Sequence, residues 1–364
     1  MNFKKWSNKK AFTVGSELEV RIQDAHDYTL KEISSKIMPL VPHDLKNNVQ
    51  QEFLECMLEF VSPVCTCAFE ITNYLQQYIQ VVSKLGKEQD FILATSGAHS
   101  YKIDFLDAVK NKRYKKFSKE YGLLLKKFHI CGFHIHIGLS SSDEALHVYN
   151  YMLDKLPLFL ALSANSPFFD GQDTGLLSYR TQLFNQLPRA GVPEYFDSFE
   201  DITNMYSNLK KAGIIDSASD LWWDLRISPK FHTLEIRICD ANNDFQRLED
   251  LINFYQALCF YALNQKIEKL PHQILKQNKW NATRHGLEGN YQNNSFTCKS
   301  IKEYILELID QMQEEKVFEK LNIKDEFITR LKNRVHKKVQ AQIQQDIFAK
   351  TKDLQEVEKL GILI

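Results

Sequence analysis

No stretch of this 364-residue chain approaches the ~20 consecutive apolar residues that a membrane-crossing helix needs. The basic opening, "MNFKKWSNKKAFTV", is followed by no long apolar run, so a signal peptide is not expected. Basic surplus is missing too. The 46 Lys and Arg balance the 46 Asp and Glu, which argues against nucleic-acid or anionic-membrane partners. Cysteine is sparse: seven residues with no C-x-x-C pair, scattered except for Cys65 and Cys67. A disulfide framework or a Cys-rich zinc site finds no support, and reduced, buried thiols in a cytoplasmic protein are expected. There is no G-x-x-x-x-G-K-[ST] sequence, so a nucleotide would not be held by a P-loop. Internal repeats, low-complexity tracts and Pro/Gly/Ser linkers are absent as well. We therefore expect one catalytic domain over residues 1–364, with 300–364 a helical portion packed on it.

A sizeable core is expected from the 44% hydrophobic content. In "GSELEVRI" (15–22), Leu18, Val20 and Ile22 fall on one face of an extended strand, and Glu17, Glu19 and Arg21 on the other. Two carboxylates roughly 6.6 Å apart along one face are either part of a solvated exterior or the floor of a site for cations. The design recurs. Phe133, Ile135 and Ile137 lie opposite His134 and His136 in "FHIHIGL". Leu234, Ile236 and Ile238 lie opposite Glu235 and Arg237 in "TLEIRICD", and Asp224 and Arg226 alternate with Leu225 and Ile227 in "DLRIS". Solvated faces favour Lys and Thr. These strands carry Glu, His and Arg, near Trp222, Trp223 and Phe231, which points to burial and hence to a need for cations. "EFLECMLEF" adds Glu52, Glu55 and Glu59, with Glu55 and Glu59 on one face in either helix or strand.

Apolar positions from Ile71 to Leu85 recur at helical spacing, with Gly86 as the expected stop. Leu248, Leu251, Tyr255, Leu258 and Ala262 form a second stripe, and Ser300 with Glu303 is a capping box before a third helix. Residues 163–183 read as a long structured loop. Strands and helices do not alternate regularly, which predicts an α+β fold and not a doubly wound parallel sheet.

Carboxylates with arginines suit a magnesium-bridged phosphate, since magnesium prefers hard oxygen ligands and guanidinium forks match phosphate oxygens. His134-x-His136 among glutamates leaves a zinc hydrolase as the alternative. A nucleotide-binding protein without turnover is a third reading.

"GSELEV", "FLECMLEFVSP", "CGFHIHIGL", "LALSANSPFFDGQDTGLLSYRTQLF", "AGVP", "LWWDLRISPKFHTLEIRICDA" and "NKWNATRHGLEG" occur in the order of the glutamate–cysteine ligase type 2 family, which the chain resembles over about residues 11 to 290. Two stretches depart from that pattern: "SGAHSYK" lacks a proline after its histidine, and "NQLPRAGVP" lacks a tryptophan. The resemblance implies a glutamine-synthetase-like fold, a curved, mainly antiparallel sheet backed by helices. It also implies ATP-dependent amide formation through an acyl phosphate, with glutamate and cysteine as the leading substrates, another amino-acid or amine pair as the alternative, and glutathione biosynthesis as the setting. The implied cofactors are ATP and Mg2+, with Mn2+ as the substitute. The implied partners are small molecules, with no nucleic acid or membrane, and a homo-oligomer is compatible. Glu17, Glu19, Glu59, His134 and Glu235 match metal ligands. Arg237 and Glu55 match catalytic positions. Glu52, His136, Arg180, Arg226 and Arg284 match positions for substrate or ATP.

Overall fold

The computed structural model describes residue 6 and residues 11–104, 106–295 and 297–363. Its centre is a sheet of β1 (Val14–Asp24), β2 (Val49–Gln51), β3 (Met57–Val61), β4 (Phe91–Ala94), β5 (Phe133–Gly138), β6 (Leu225–Ser228) and β7 (Thr233–Ile236). The strand order is β6-β7-β5-β1-β3-β2, and β4 pairs with the C-terminal half of β1. Every pairing in this sheet is antiparallel. Each long strand alternates as the sequence predicts. Leu18, Val20, Ile22, Phe133, Ile135, Ile137, Leu234 and Ile236 are all fully buried in the main core.

Helices cover that apolar face. α1 (Ala68–Gln89) buries Ile71, Leu75, Ile79 and Val82, and α3 (Phe245–Ala262) buries Leu248, Leu251, Tyr255 and Leu258. Between them in sequence lies α2 (Lys112–Tyr121), which buries only Phe117. α4 (Ile301–Glu314) starts at the expected capping box, with Ser300 accepting from the Glu303 backbone N–H and the Glu303 carboxylate accepting from that of Ser300. Its Ile305, Leu308 and Met312, with Phe327 and Leu331 further on, join the same core as the sheet. Strands and helices thus form the expected α+β fold.

α1 runs past the expected stop at Gly86 and ends at Asp90, which adopts the left-handed conformation (φ 54°). Gly86 is needed for a different reason: a Cβ there would lie 2.3 Å from the Phe91 carbonyl oxygen, where the chain turns back into β4. The chain's last described residues run beside β4, with Leu363 N–H donating to Leu93 O and Thr95 N–H to Gly361 O. Among the described residues no helix is long and apolar enough to cross a membrane. All seven thiols are free. Cys56, Cys65, Cys131, Cys239 and Cys259 are buried as expected, whereas Cys67 and Cys298 are exposed.

Candidate active site

Antiparallel register places the polar side chains of five strands in rows. Arg226 lies opposite Glu235, and Glu235 opposite His136. Glu17 lies opposite His134, and Glu19 opposite Glu59. Like charges directly opposite each other destabilise a sheet, so the Glu19–Glu59 pair needs an explanation. Except for the fully buried Glu235, these residues line the floor of a cleft of about 760 Å³, whose lining also includes Glu52, Arg113, Tyr114, Trp222, Phe231 and Arg237.

The charges are only partly matched by the protein. Glu235 is fully buried and accepts from Arg226 Nε (2.9 Å), Arg226 Nη2 (2.7 Å) and Arg237 Nη1. Burial would raise its pKa, but the two guanidiniums outweigh that and lower it to about 2. His134 Nδ1 is 3.2 Å from Glu17 Oε2 and 3.4 Å from Arg237 Nη1. Burial and then Arg237 lower the His134 pKa to about 3, leaving a neutral ring. Burial also works to raise Glu17, but the adjoining His134 and His136 imidazoles hold it well below the ordinary carboxylate range. The other acids move the opposite way. Burial and the Glu52 charge push Glu19 up to about 7. Burial and the charges of Glu17, Glu52 and Glu19 push Glu59 well above its usual value. Burial also raises Glu52, whose carboxylate accepts from the Phe53 N–H at 2.8 Å.

Three groups offer donor atoms lying within 4.8 Å of one another: Glu17 with Glu59 and His134, Glu17 with His136 and Glu235, and Glu19 with Glu52 and Glu59. The donor set fits magnesium. It is dominated by hard carboxylate oxygens, and an imidazole in two of the groups also suits manganese. The buried His136 Nε2 has no hydrogen-bond partner and sits 3.5 Å from Glu17 and 3.9 Å from Glu235. An orphaned imidazole nitrogen aimed between carboxylates, beside mutually repelling glutamates, fits bound cations.

Three residues proposed from sequence lie elsewhere. Glu55 is in the turn before β3, where Met57 N–H donates to Leu54 O, and this turn reverses its face relative to Glu59. Its carboxylate accepts from Ser34 Oγ, Ser35 N–H and Ser35 Oγ at the start of the short helix Ser34–Ile37. Glu55 is thus tied to the start of that helix and does not line the cleft. Arg284 is exposed near the end of a helix, His272–His285, and does not line the cleft. Arg180 is buried behind the floor. It donates to the carbonyls of Arg237 and Ile238, and its Nη2 lies 3.5 Å from His134 Nε2. Gly132 makes room for it, since a Cβ there would lie 2.1 Å from Arg180 Nη2. Arg180 therefore braces His134 and the segment after β7 and does not line the cleft. Asp224 turns away too, pairing with Lys279 at 2.6 Å.

Sequence reasoning missed the apolar side of the cleft. Phe53, Tyr114 and Phe117 line it, with Phe53 and Tyr114 edge to face at 5.2 Å. Tyr114 and Phe117 sit in the charged run "KNKRYKKF". Their recurrence three residues apart was the available signal.

The sequence model of glutamate–cysteine ligase family 2 matches residues 13–358. Among relatives, a protein of Jannaschia sp. named "Putative glutamate--cysteine ligase 2" is 32% identical over 286 residues, covering 76% of this chain and 75% of that protein. One of the same name from Paracoccus denitrificans is 33% identical over 285 residues, covering 76% and 75%. In fold, the chain is similar to the glutamate–cysteine ligase of Francisella tularensis solved in complex with AMP. The TM-score is 0.69 at 15% identity, covering 97% of this chain and 89% of that one. These matches bear out the resemblance and the glutamine-synthetase-like architecture. The chain belongs to glutamate–cysteine ligase family 2 and is an enzyme of the ligase class.

Proposed function

We propose that this ligase uses ATP to join the γ-carboxylate of glutamate to the amine of a second amino acid, cysteine being the acceptor in the relatives' names. The observation that carries the reading is the convergence of three cation-ready carboxylate groups around Arg237. A carboxylate is a poor electrophile. Its oxygen attacks the γ-phosphorus of ATP, ADP leaves, and an acyl phosphate results. The amine nitrogen then attacks the acyl carbon, releasing phosphate and a proton.

Glu17, Glu19, Glu52, Glu59, His134, His136 and Glu235 would hold magnesium, which supplies charge neutralisation and orientation of the phosphates. Glu235 fixes Arg237 and Arg226 from below, so their guanidiniums keep their orientation while charge builds on the γ-phosphate. His134 stays neutral, so it can offer a lone pair at neutral pH. The apolar residues on the other face of each strand hold the floor rigid.

The test is ADP release from glutamate, cysteine and MgATP. Release only when both amino acids are present supports the reading. Amide cleavage without ATP would instead establish the hydrolase alternative.

A further inference from the structure

Arg226 reaches the cleft, yet its guanidinium is engaged on every nitrogen by the protein. Nε donates to Glu235 at 2.9 Å, and Nη2 lies 2.7 Å from the same carboxylate oxygen. Nη1 donates to the carbonyls of Ser219 and Leu221 at 3.2 and 3.1 Å. Among the described residues the Arg237 guanidinium, by contrast, meets Glu235 and His134 through Nη1 only. Glu235 is fully buried and Arg226 itself is 9% exposed. A buried guanidinium that bonds a carboxylate and two loop carbonyls at once fixes all three in one geometry.

The loop so held is a wall of the cleft, lined by Ser217, Ala218, Ser219 and Trp222. Its tight turn, Ala218–Asp220, is closed by the buried Asp220 carboxylate, which accepts from the Asp216 and Ser217 N–H groups at 2.8 and 3.1 Å. The other Asp220 oxygen accepts from Arg113 Nη2 at 3.0 Å, and Lys116 donates to Asp216 at 2.9 Å. Both cations belong to α2, which brings Arg113, Tyr114 and Phe117 to the cleft while burying only Phe117. With so small a core of its own, this helix takes its place from the wall. A continuous relay therefore runs from Glu235 through Arg226, the Ser219 and Leu221 carbonyls and Asp220 to Arg113. Resting on the reading above only for the cleft being the active site, we propose that Arg226 is a positioning residue: it sets the place of the 215–222 wall and, through Asp220, of α2. Its charge stays beneath the cleft while its donors hold the wall.

The experiment is hydrogen exchange read by mass spectrometry on the whole chain, with Arg226→Lys and Asp220→Asn made singly and together. Lysine keeps a positive charge beside Glu235 but loses the fork that also holds the two carbonyls. Amides of residues 215–222 and of α2 should then exchange roughly tenfold faster or more, the loss expected of a hydrogen bond from a charged donor. Those of β1 and β5 should not change. Asp220→Asn should speed α2 similarly, and the double variant should exchange there no faster than the faster single one, because both act along one path. Multiplied effects in the double variant, or wall and α2 amides that exchange as in wild type, would overturn the assignment. If circular dichroism shows that Arg226→Lys does not fold, Asp220→Asn alone decides, and α2 exchange unmoved by it overturns the relay. In ADP release both single variants should lower kcat/KM by similar factors. A loss confined to Arg226→Lys, with exchange unchanged, would make Arg226 a direct contact of substrate and overturn the positioning role. Absence of ADP release from the wild type would count against the ligase reading alone, since exchange is read without turnover.

Discussion

Glu17 and Glu19 share one face of β1 with Arg21 and Gln23, and all four sit in a largely buried, charged environment, yet the two halves of that face are built differently. Beyond Glu19 the face is sealed. The Glu358 carboxylate, from the short helix Leu354–Lys359, accepts from Gln23 Nε2 at 2.6 Å and from Ser100 N–H at 2.7 Å. It also lies 2.9 Å from His99 Nδ1 and 3.5 Å from Arg21 Nη2. His99 and Arg21 then hold its pKa far below the usual carboxylate range against the effect of burial. In the open half, Glu19 and Glu59 face each other and are pushed up. Both halves carry buried charge, and only one carries charge that the protein leaves uncompensated. Surplus of one sign, not charge as such, marks the site, because a folded chain holds unmatched carboxylates only where something else neutralises them.

The largest effect expected on this contrast is on stability, in the sealed half. Glu358→Ala leaves Arg21 buried without its carboxylate and should cost about 3–5 kcal/mol in chemical denaturation. ADP release per folded molecule should change little. A variant that stays stable but loses turnover would place Glu358 in the site and erase the distinction.

In the open half the order reverses. Glu19→Gln should lower ADP release about 10²–10³-fold, the usual loss for one transition-state electrostatic contact. Because the Glu19 charge is opposed by its surroundings, the metal-free variant should be at least as stable as wild type. Glu235→Gln should lose comparable turnover and stability as well, since Arg226 and Arg237 would be left without their acceptor. Equal stability losses for both variants would show that the two glutamates occupy equivalent environments.

Arg237→Lys keeps the charge and gives up the fork. We expect kcat to fall about ten- to a hundredfold while calorimetry still shows nucleotide binding, because Arg and Lys are not interchangeable where geometry matters. Unchanged ADP release would remove Arg237 from phosphoryl transfer.

How much of this was legible in the sequence depends on the distance over which each feature is encoded. Alternation in β1, β5 and β7 is local, so Leu18, Ile135 and Leu234 identified the core face and Glu17, His134 and Glu235 the polar one. The turn at Leu54–Met57 broke the same logic for Glu55 by reversing its face. The sealed half depends on Glu358, 335 residues from Gln23, and no pattern within β1 shows that Arg21 and Gln23 are covered. The apolar side of the cleft is likewise assembled from Phe53, Tyr114, Leu187 and Trp222, which are distant in sequence and meet only in the fold.

The smallest effect is a pH slope whose sign separates the two halves. Glu19 and Glu59 have raised pKa values, so between about pH 6.5 and 8 the folded, metal-free protein binds more protons than the unfolded chain. Stability should then fall as pH rises, by at most about 1.4 kcal/mol per pH unit for each extra proton. His136, also raised, acts in the same direction. His129 and His134, lowered to about 3, act in the opposite sense, but only below the ordinary histidine value near 6.5. Glu358 is depressed, so its contribution is complete above about pH 4.3 and disappears only on acidification below that. Magnesium binds the deprotonated carboxylates, so thermal unfolding in saturating Mg2+ should be less steep with pH than in EDTA, with the largest Mg2+-induced rise in Tm near pH 8. Glu19→Gln should flatten part of the EDTA slope, while a lesion at Glu358 should leave it in place. A wild-type Tm in EDTA that rises from pH 6.5 to 8, or one that Mg2+ leaves unchanged, would mean that the open half is compensated from within the protein, as the sealed half is.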